Sequence, residues 1–179
     1  DKIMVGEIRD SETAQIAIQS ALTGHLVFTT VHANNVFDVV SRFTHMGVDT
    51  YSFVSALSGV LAQRLIRIVC EQCAEPRTPS RQLFEESQLS TAATTMFTIT
   101  VGRGCQHCRG SGYHGRKAIG ELLVLNDELR EAIINRVPVR QLKEMSKKDG
   151  VRLIRSVALD LVRRGETTLE EVNRVTVMA

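Results

Sequence analysis

Two groups of residues in this chain have the types and spacing to do chemistry. The first is a carboxylate, hydroxyls and an imidazole: Glu7, with Arg9 and Asp10 beside it, then Thr29, Thr30 and His32 further on. A carboxylate placed just past a strand end, with hydroxyls and a His next to it, suits holding a water against a phosphate and sensing that phosphate. The second group is four thiols in two C-x-x-C knuckles, Cys70/Cys73 and Cys105/Cys108, with 31 residues between the knuckles. Two residues between paired thiolates let both reach one tetrahedral Zn²⁺ at about 2.3 Å, and two knuckles close a four-thiolate site that keeps no open position for catalysis. Disulfides are the rival use, which a cytosolic chain disfavours. A thioredoxin-like redox motif is weaker, because neither knuckle opens a helix in a strand–helix–strand context.

The elements that must position the first group are two strands and a helix. Ile3, Met4 and Val5 form a short apolar run closed by Gly6, the pattern of a strand buried on both faces of a parallel sheet. Ala14, Ala17, Ile18, Ala21 and Leu22 follow at helical spacing, with Asp10 or Ser11 as N-cap, Glu12 in the first turn and Gly24 as terminator. Residues 25–31, rich in Val, Phe and Thr, predict a second strand that runs into His32. A right-handed crossover makes the two strands parallel, so their carboxyl ends share one edge and Glu7 meets His32. In open parallel sheets that edge is where ligands bind. Read alone, Glu7-Ile8-Arg9-Asp10 would be an ordinary solvated turn; joined to the His-bearing strand, it is a site.

These residues carry a resemblance. IMVGEIRDSETAQIA resembles the Walker B segment of the type II secretion and type IV pilus assembly ATPases, and TGHLVFTTVHANN resembles their His box. The resemblance implies a RecA-like P-loop ATPase core, here the C-terminal half of a mainly parallel sheet, in a protein that works as a homo-hexamer at the bacterial inner membrane. Glu7 would be the catalytic glutamate, with His25 and His32 near the phosphates. Arg9 and Thr30 would contact the nucleotide, as would Gln63 and Arg64 in an Ala-Gln-Arg-Leu stretch at the end of a helix; an exposed helix end is the equal alternative for that pair. Gly6 stands where most P-loop proteins have a magnesium-associated Asp, a departure that the family shares. Many secretion ATPases of this group also carry a tetracysteine arm.

The chain opens without a Met on a central strand and contains no G-x-x-x-x-G-K-[ST] loop. The expectation is a C-terminal portion of a longer protein, with the phosphate loop, and so the ATP and Mg²⁺ grip, encoded upstream, and with no turnover by the 179 residues alone.

Asn34 or Asn35 can cap a helix with Val36, Val39, Val40, Phe43 and Met46 on one face, ended by Gly47. Thr50 starts another that carries Phe53, Leu57, Val60 and Leu61 and delivers Gln63 and Arg64. Strands are expected at 65–69, 97–101 and 118–125, with a helix around 81–89 and a small polar run at 90–95. Gly110 to Lys117 reads as the turn leaving the metal arm, and His107 as a spare beside four sufficient thiolates. His45 and His114 read as ordinary helix-end and loop residues. Helices then begin after Asn126, at Pro138 and near Leu153, and Thr168 with Glu171 forms a capping box for a last short one. The expected division is 1–69 as ATPase core, 70–117 as zinc arm and 118–179 as returning strand with a helical subdomain.

A net charge of +2 with six Phe, two Tyr and no Trp offers no array of stacking platforms, so nucleic acid is not expected as a partner. No apolar run approaches the ~18 residues that span a bilayer. The expected place is the bacterial cytoplasm, peripheral to the inner membrane, with inner-membrane platform proteins as partners. Nine basic residues against three acidic ones between Arg136 and Arg164 read as a solvated face, with an acidic neighbour or the anionic leaflet as the alternative. The rival to the motor is a zinc-stabilised scaffold or adaptor with the motor fold and no catalysis.

Overall fold

The structure, a computed structural model, describes residues 1–89 and 98–176. The expected polar run at 90–95 lies outside the described residues. The fold is α/β. In chain order the elements are β1 (Lys2–Val5), α1 (Ser11–Leu22), β2 (Leu26–Thr29), α2 (Val36–His45), α3 (Thr50–Ala56), β3 (Gly59–Val69), β4 (Ala74–Arg77), α4 (Arg81–Glu86), β5 (Ile99–Gly102), β6 (Tyr113–Val124), α5 (Asp127–Ile134), α6 (Val139–Lys148), α7 (Ile154–Arg163) and α8 (Leu169–Val175). Contacts divide the chain into two compact units, residues 1–62 with 121–152 and residues 63–120 with 153–179. The returning strand β6 and the C-terminal helices are thus shared between the units.

In the first unit, β1 and β2 pair in parallel, Lys2 opposite Leu26 through Val5 opposite Thr29, with α1 as the crossover. Asp10 is the N-cap, its carboxylate accepting from the Thr13 amide at 2.8 Å. Ala14, Ala17 and Ile18 bury the inner stripe of α1. The strands themselves are not buried on both faces. Ile3, Val5 and Val27 are half-buried, whereas Met4 is 69% and Phe28 54% exposed. Apolar residues on both faces suit a parallel sheet covered on both sides; within this unit one side stays bare. Elsewhere in the unit, α2 and α3 meet through Phe43 and Phe53, stacked at 4.3 Å, and α5 contributes Leu129, Ala132 and Ile133 to the core.

One helix is shorter than its apolar spacing predicts. α3 ends at Ala56, and the residues expected to continue it form β3. Leu57, Val60 and Leu61 fit a helical stripe, but Gly59 breaks the helix and Val60 to Val69 also alternates side to side, the period of a strand. Gln63 and Arg64 therefore lie in β3, not at a helix end. β6, which pairs with β3, begins at Tyr113 and so takes in residues 113–117 of the expected turn, whereas Gly110 to Gly112 do form a turn and bend.

The second unit packs Ile66, Ile99, Val101, Ile119, Ala158, Leu161, Val162, Leu169 and Val172 into one core. β4 and β5 pair antiparallel, Ala74 opposite Gly102 and Arg77 opposite Ile99, so the chain's sheets are mixed rather than one parallel array. The capping box of α8 is half formed. The Thr168 hydroxyl accepts from the Glu171 amide at 3.2 Å, but the Glu171 carboxylate turns inward to Arg67 and Arg174. Nor is the basic run all solvated: Arg155 donates to Thr176 Oγ1, Asn173 Oδ1 and the Ser87 carbonyl at 2.7–2.9 Å.

Candidate functional site

The parallel pairing of β1 and β2 brings their carboxyl ends together, and the segments beyond stay joined. The Ile8 amide donates to the Thr30 carbonyl at 2.9 Å, and the Thr30 hydroxyl to the Gly6 carbonyl at 2.7 Å. Thr30 is thereby engaged in holding the edge. These bonds fix the backbone on which Glu7 and His32 stand. The Glu7 carboxylate accepts two charge-assisted bonds from Arg9, each 2.7 Å long, and lies 3.4 Å from His32 Nε2. Glu7 is 37% and His32 77% exposed, so a ligand can reach both. A carboxylate gripped by a guanidinium and faced by an imidazole can take a proton from a bound water if Arg9 swings to an arriving anion.

His25 is not at this edge. It precedes β2 at the amino end of the pair, where the Leu26 amide donates to the Asp1 carbonyl. Its Nδ1 lies 3.1 Å from the Ser20 carbonyl and 3.4 Å from the Thr23 hydroxyl, which fastens the end of α1. A parallel strand separates its two ends by its own length, so residues 25 and 32 cannot share one edge. Gln63 and Arg64 belong to the second unit, where Arg64 Nη1 donates to the Gln63 carbonyl at 2.9 Å.

The four cysteines do converge. Their Sγ atoms all lie within 4.8 Å of one another, with Cys70–Cys105 and Cys73–Cys108 at 3.8 Å and Cys105–Cys108 at 3.7 Å. Four sulfurs each about 2.3 Å from a central ion stand roughly 3.8 Å apart at the tetrahedral angle, so the donor set fits a metal of zinc's kind. The backbone prepares the site: the Cys105 and Gly112 amides donate to Cys108 Sγ at 3.2 and 3.3 Å. Burial raises the Cys108 thiol, but these amides outweigh it and bring the group down to about 6, while burial pushes Cys73 up to about 12. The glycines here serve close packing. A Cβ on Gly102 would stand 1.9 Å from the Gly112 carbonyl oxygen. His107 stacks on His114 with ring centroids 4.1 Å apart and is not among the four grouped donors.

The model of the type II/IV secretion system protein family matches residues 1–174. The chain belongs to that family. Among its secretion-family relatives, the type IV pilus assembly ATPase PilB of Thermus thermophilus is 45% identical over 172 residues, 96% of this chain and 19% of the relative. The putative type II secretion system protein E of Escherichia coli is 45% identical over 178 residues, 98% of this chain and 35% of the relative. The type II secretion system ATPase E of Vibrio cholerae is 44% identical over 179 residues, 98% and 34%. The chain thus spans between a fifth and about a third of the length of these relatives. The fold is also that of the Legionella pneumophila ATPase DotB, with a TM-score of 0.63 at 21% identity over 97% of this chain and 38% of that one.

Two polar groups of this secretion-family chain escape reading by motif, and a third, Glu171, does more than its capping box reports. Glu121, buried in β6, accepts from the Val36 amide at the start of α2 at 2.9 Å. Glu171, fully buried, binds Arg67 and Arg174. Arg42 on α2 has a buried Nε with no hydrogen-bond partner among the described residues. Glu121 and Glu171 have partners 85 and 104 residues away, which no local pattern reports.

Proposed function

We propose that this chain is part of a cytoplasmic motor ATPase of a type II secretion or type IV pilus system. In this reading the first unit belongs to a RecA-like P-loop core and Glu7 activates the attacking water. His32 reports the terminal phosphate, and Arg9 moves between Glu7 and phosphate. Mg²⁺ and the main phosphate grip come from groups outside these 179 residues, so this stretch alone turns over no ATP. His25 holds the end of α1, and Gln63 and Arg64 are nucleotide-side candidates of the second unit. Cys70, Cys73, Cys105 and Cys108 hold a structural Zn²⁺, which lends this segment order that its small core cannot supply. The working assembly is a homo-hexamer, peripheral to the inner membrane, acting on platform proteins there.

The observation that carries the reading is the meeting of Glu7 and His32, 3.4 Å apart, at the carboxyl edge of a parallel strand pair in a chain of this family. The bare face formed by Met4, Leu26 and Phe28 supports it too, because a core completed by the rest of a longer protein would cover that face. The test is Glu7→Gln in the complete protein. ATP turnover should fall by about a hundred-fold or more while nucleotide binding persists. Turnover that survives the change excludes Glu7 as the essential group and favours the zinc-stabilised scaffold.

A further inference from the structure

Along β6, Ile119, Glu121 and Leu123 fall on the buried side of the strand, while Leu122 and Val124 are exposed. A carboxylate, 2% exposed, thus stands where the strand's period calls for an apolar side chain. A local choice that contradicts the pattern around it is expected at functional positions. This carboxylate accepts from the Val36 amide at 2.9 Å, at the end of the segment that carries His32. A neutral acceptor would satisfy one N–H. A carboxylate gives a stronger bond, at a desolvation cost that a purely structural cap avoids.

His32 is 77% exposed, so little packing holds its ring. Its place is set by the backbone of residues 30–36, which is tied at both ends. At the near end the Thr30 carbonyl and hydroxyl bond to Ile8 and Gly6. At the far end Asn35 caps the amides of Phe37 and Asp38 from within the helix start, whereas Glu121 is an acceptor supplied by another element. We propose that Glu121 is a positioning residue: by fixing where the chain enters α2, it holds His32 at 3.4 Å from Glu7. It acts through the backbone of the segment, so a strand far along the chain sets where the imidazole stands. The effect on turnover rests on the nucleotide reading; the fixing of residues 30–36 does not.

The experiment compares the complete protein with Glu121→Leu, which removes the acceptor, Glu121→Asp, which draws it back by a methylene, and Glu121→Gln, which keeps one. In Glu121→Leu, hydrogen exchange across residues 30–36 should quicken by about tenfold while α1 and α5 keep the parent rate. ATP turnover should fall by about ten- to a hundredfold with ATP binding unchanged, because a displaced imidazole costs the chemical step rather than affinity. The loss should be smaller in Glu121→Gln than in Glu121→Asp. In a His32→Ala background Glu121→Leu should cost turnover nothing further, a coupling that a merely structural residue would not show. An additive loss in that background, or exchange at 30–36 that keeps the parent rate, overturns the proposal. If Glu121→Leu does not fold, Glu121→Asp carries the same two comparisons. A complete parent that hydrolyses no ATP would sink the nucleotide reading alone, and the exchange rates would still decide whether Glu121 fixes the segment.

Discussion

Glu171 shows how much one side chain can hold. Its carboxylate is fully buried and accepts from the Arg67 amide and Nε at 2.9 Å, from Arg67 Nη2 at 2.7 Å, and from Arg174 Nε and Nη2 at 2.7 and 2.6 Å. Arg67 is itself roofed by the Tyr113 ring, 4.2 Å from its centroid. Burial raises the carboxyl, but the bonds from Arg174 and Arg67 outweigh it and hold the group at about 2. A carboxyl depressed in the folded state from an unfolded value of about 4.3 adds stability that is complete above that value. It is lost as the pH falls toward the folded value of about 2. Glu171→Gln should therefore cost about 2–4 kcal/mol at pH 7, because it weakens the pairing of two guanidinia and an amide. Urea unfolding of parent and variant between pH 6 and pH 2 checks the sign: the gap between them should close as the acid is approached. A gap that stays constant would show that packing, not ionisation, is what the variant loses.

At the scale of elements, α2 depends on what receives the amides of its first turn. Asn35 Oδ1 accepts from Phe37 and Asp38 at 2.9 and 3.0 Å, and Glu121 takes the Val36 amide. Asn35→Ala should cost about 1 kcal/mol in urea unfolding, and Asn35→Ser should recover most of it. Loss of nothing in Asn35→Ala would mean that Glu121 and solvent suffice. Asn35 is legible in the sequence because a cap acts on its own next three residues, as Asp10, Asn126 and Thr168 also do. The parallel pair and the meeting of Glu7 with His32 are legible for a related reason, since a short crossover leaves one handedness. The extent of β3 is not. Val60 to Val69 satisfies both a helical and an alternating count, and only pairing with β6, distant in sequence, decides between them. The same distance hides Glu121 and Glu171, and Arg42 carries no local signal at all. For His25 the motif is recognisable, yet the length of β2 puts that ring at the other end of the strand.

At the scale of the molecule, two units with separate cores make different demands on the chain. The first unit closes mainly on aromatic and aliphatic side chains, with Glu121 and Ser146 as buried polar groups. The second brings four chain passages to one point: the end of β3 at Cys70, the start of β4 at Cys73, the turn after β5 at Cys105, and the approach to β6 at Cys108. Backbone bonds gather there as well, Cys70 amide to Gly112 carbonyl and Arg103 amide to Cys73 carbonyl, both 2.9 Å. Without a cation, thiols that ionise there repel one another at 3.7–3.8 Å with little water to screen them. With one, the same spacing becomes a closed coordination shell. Native mass spectrometry should find one zinc per chain, absent after Cys108→Ser. Removing the metal with a chelator should then speed hydrogen exchange by about tenfold or more across β4, β5 and the 103–112 turn, and leave α1, α2 and α5 unchanged. Uniform acceleration through both units would mean that the metal underwrites the whole chain. No acceleration anywhere would mean that the hairpin and its glycine contacts hold the knuckles together unaided.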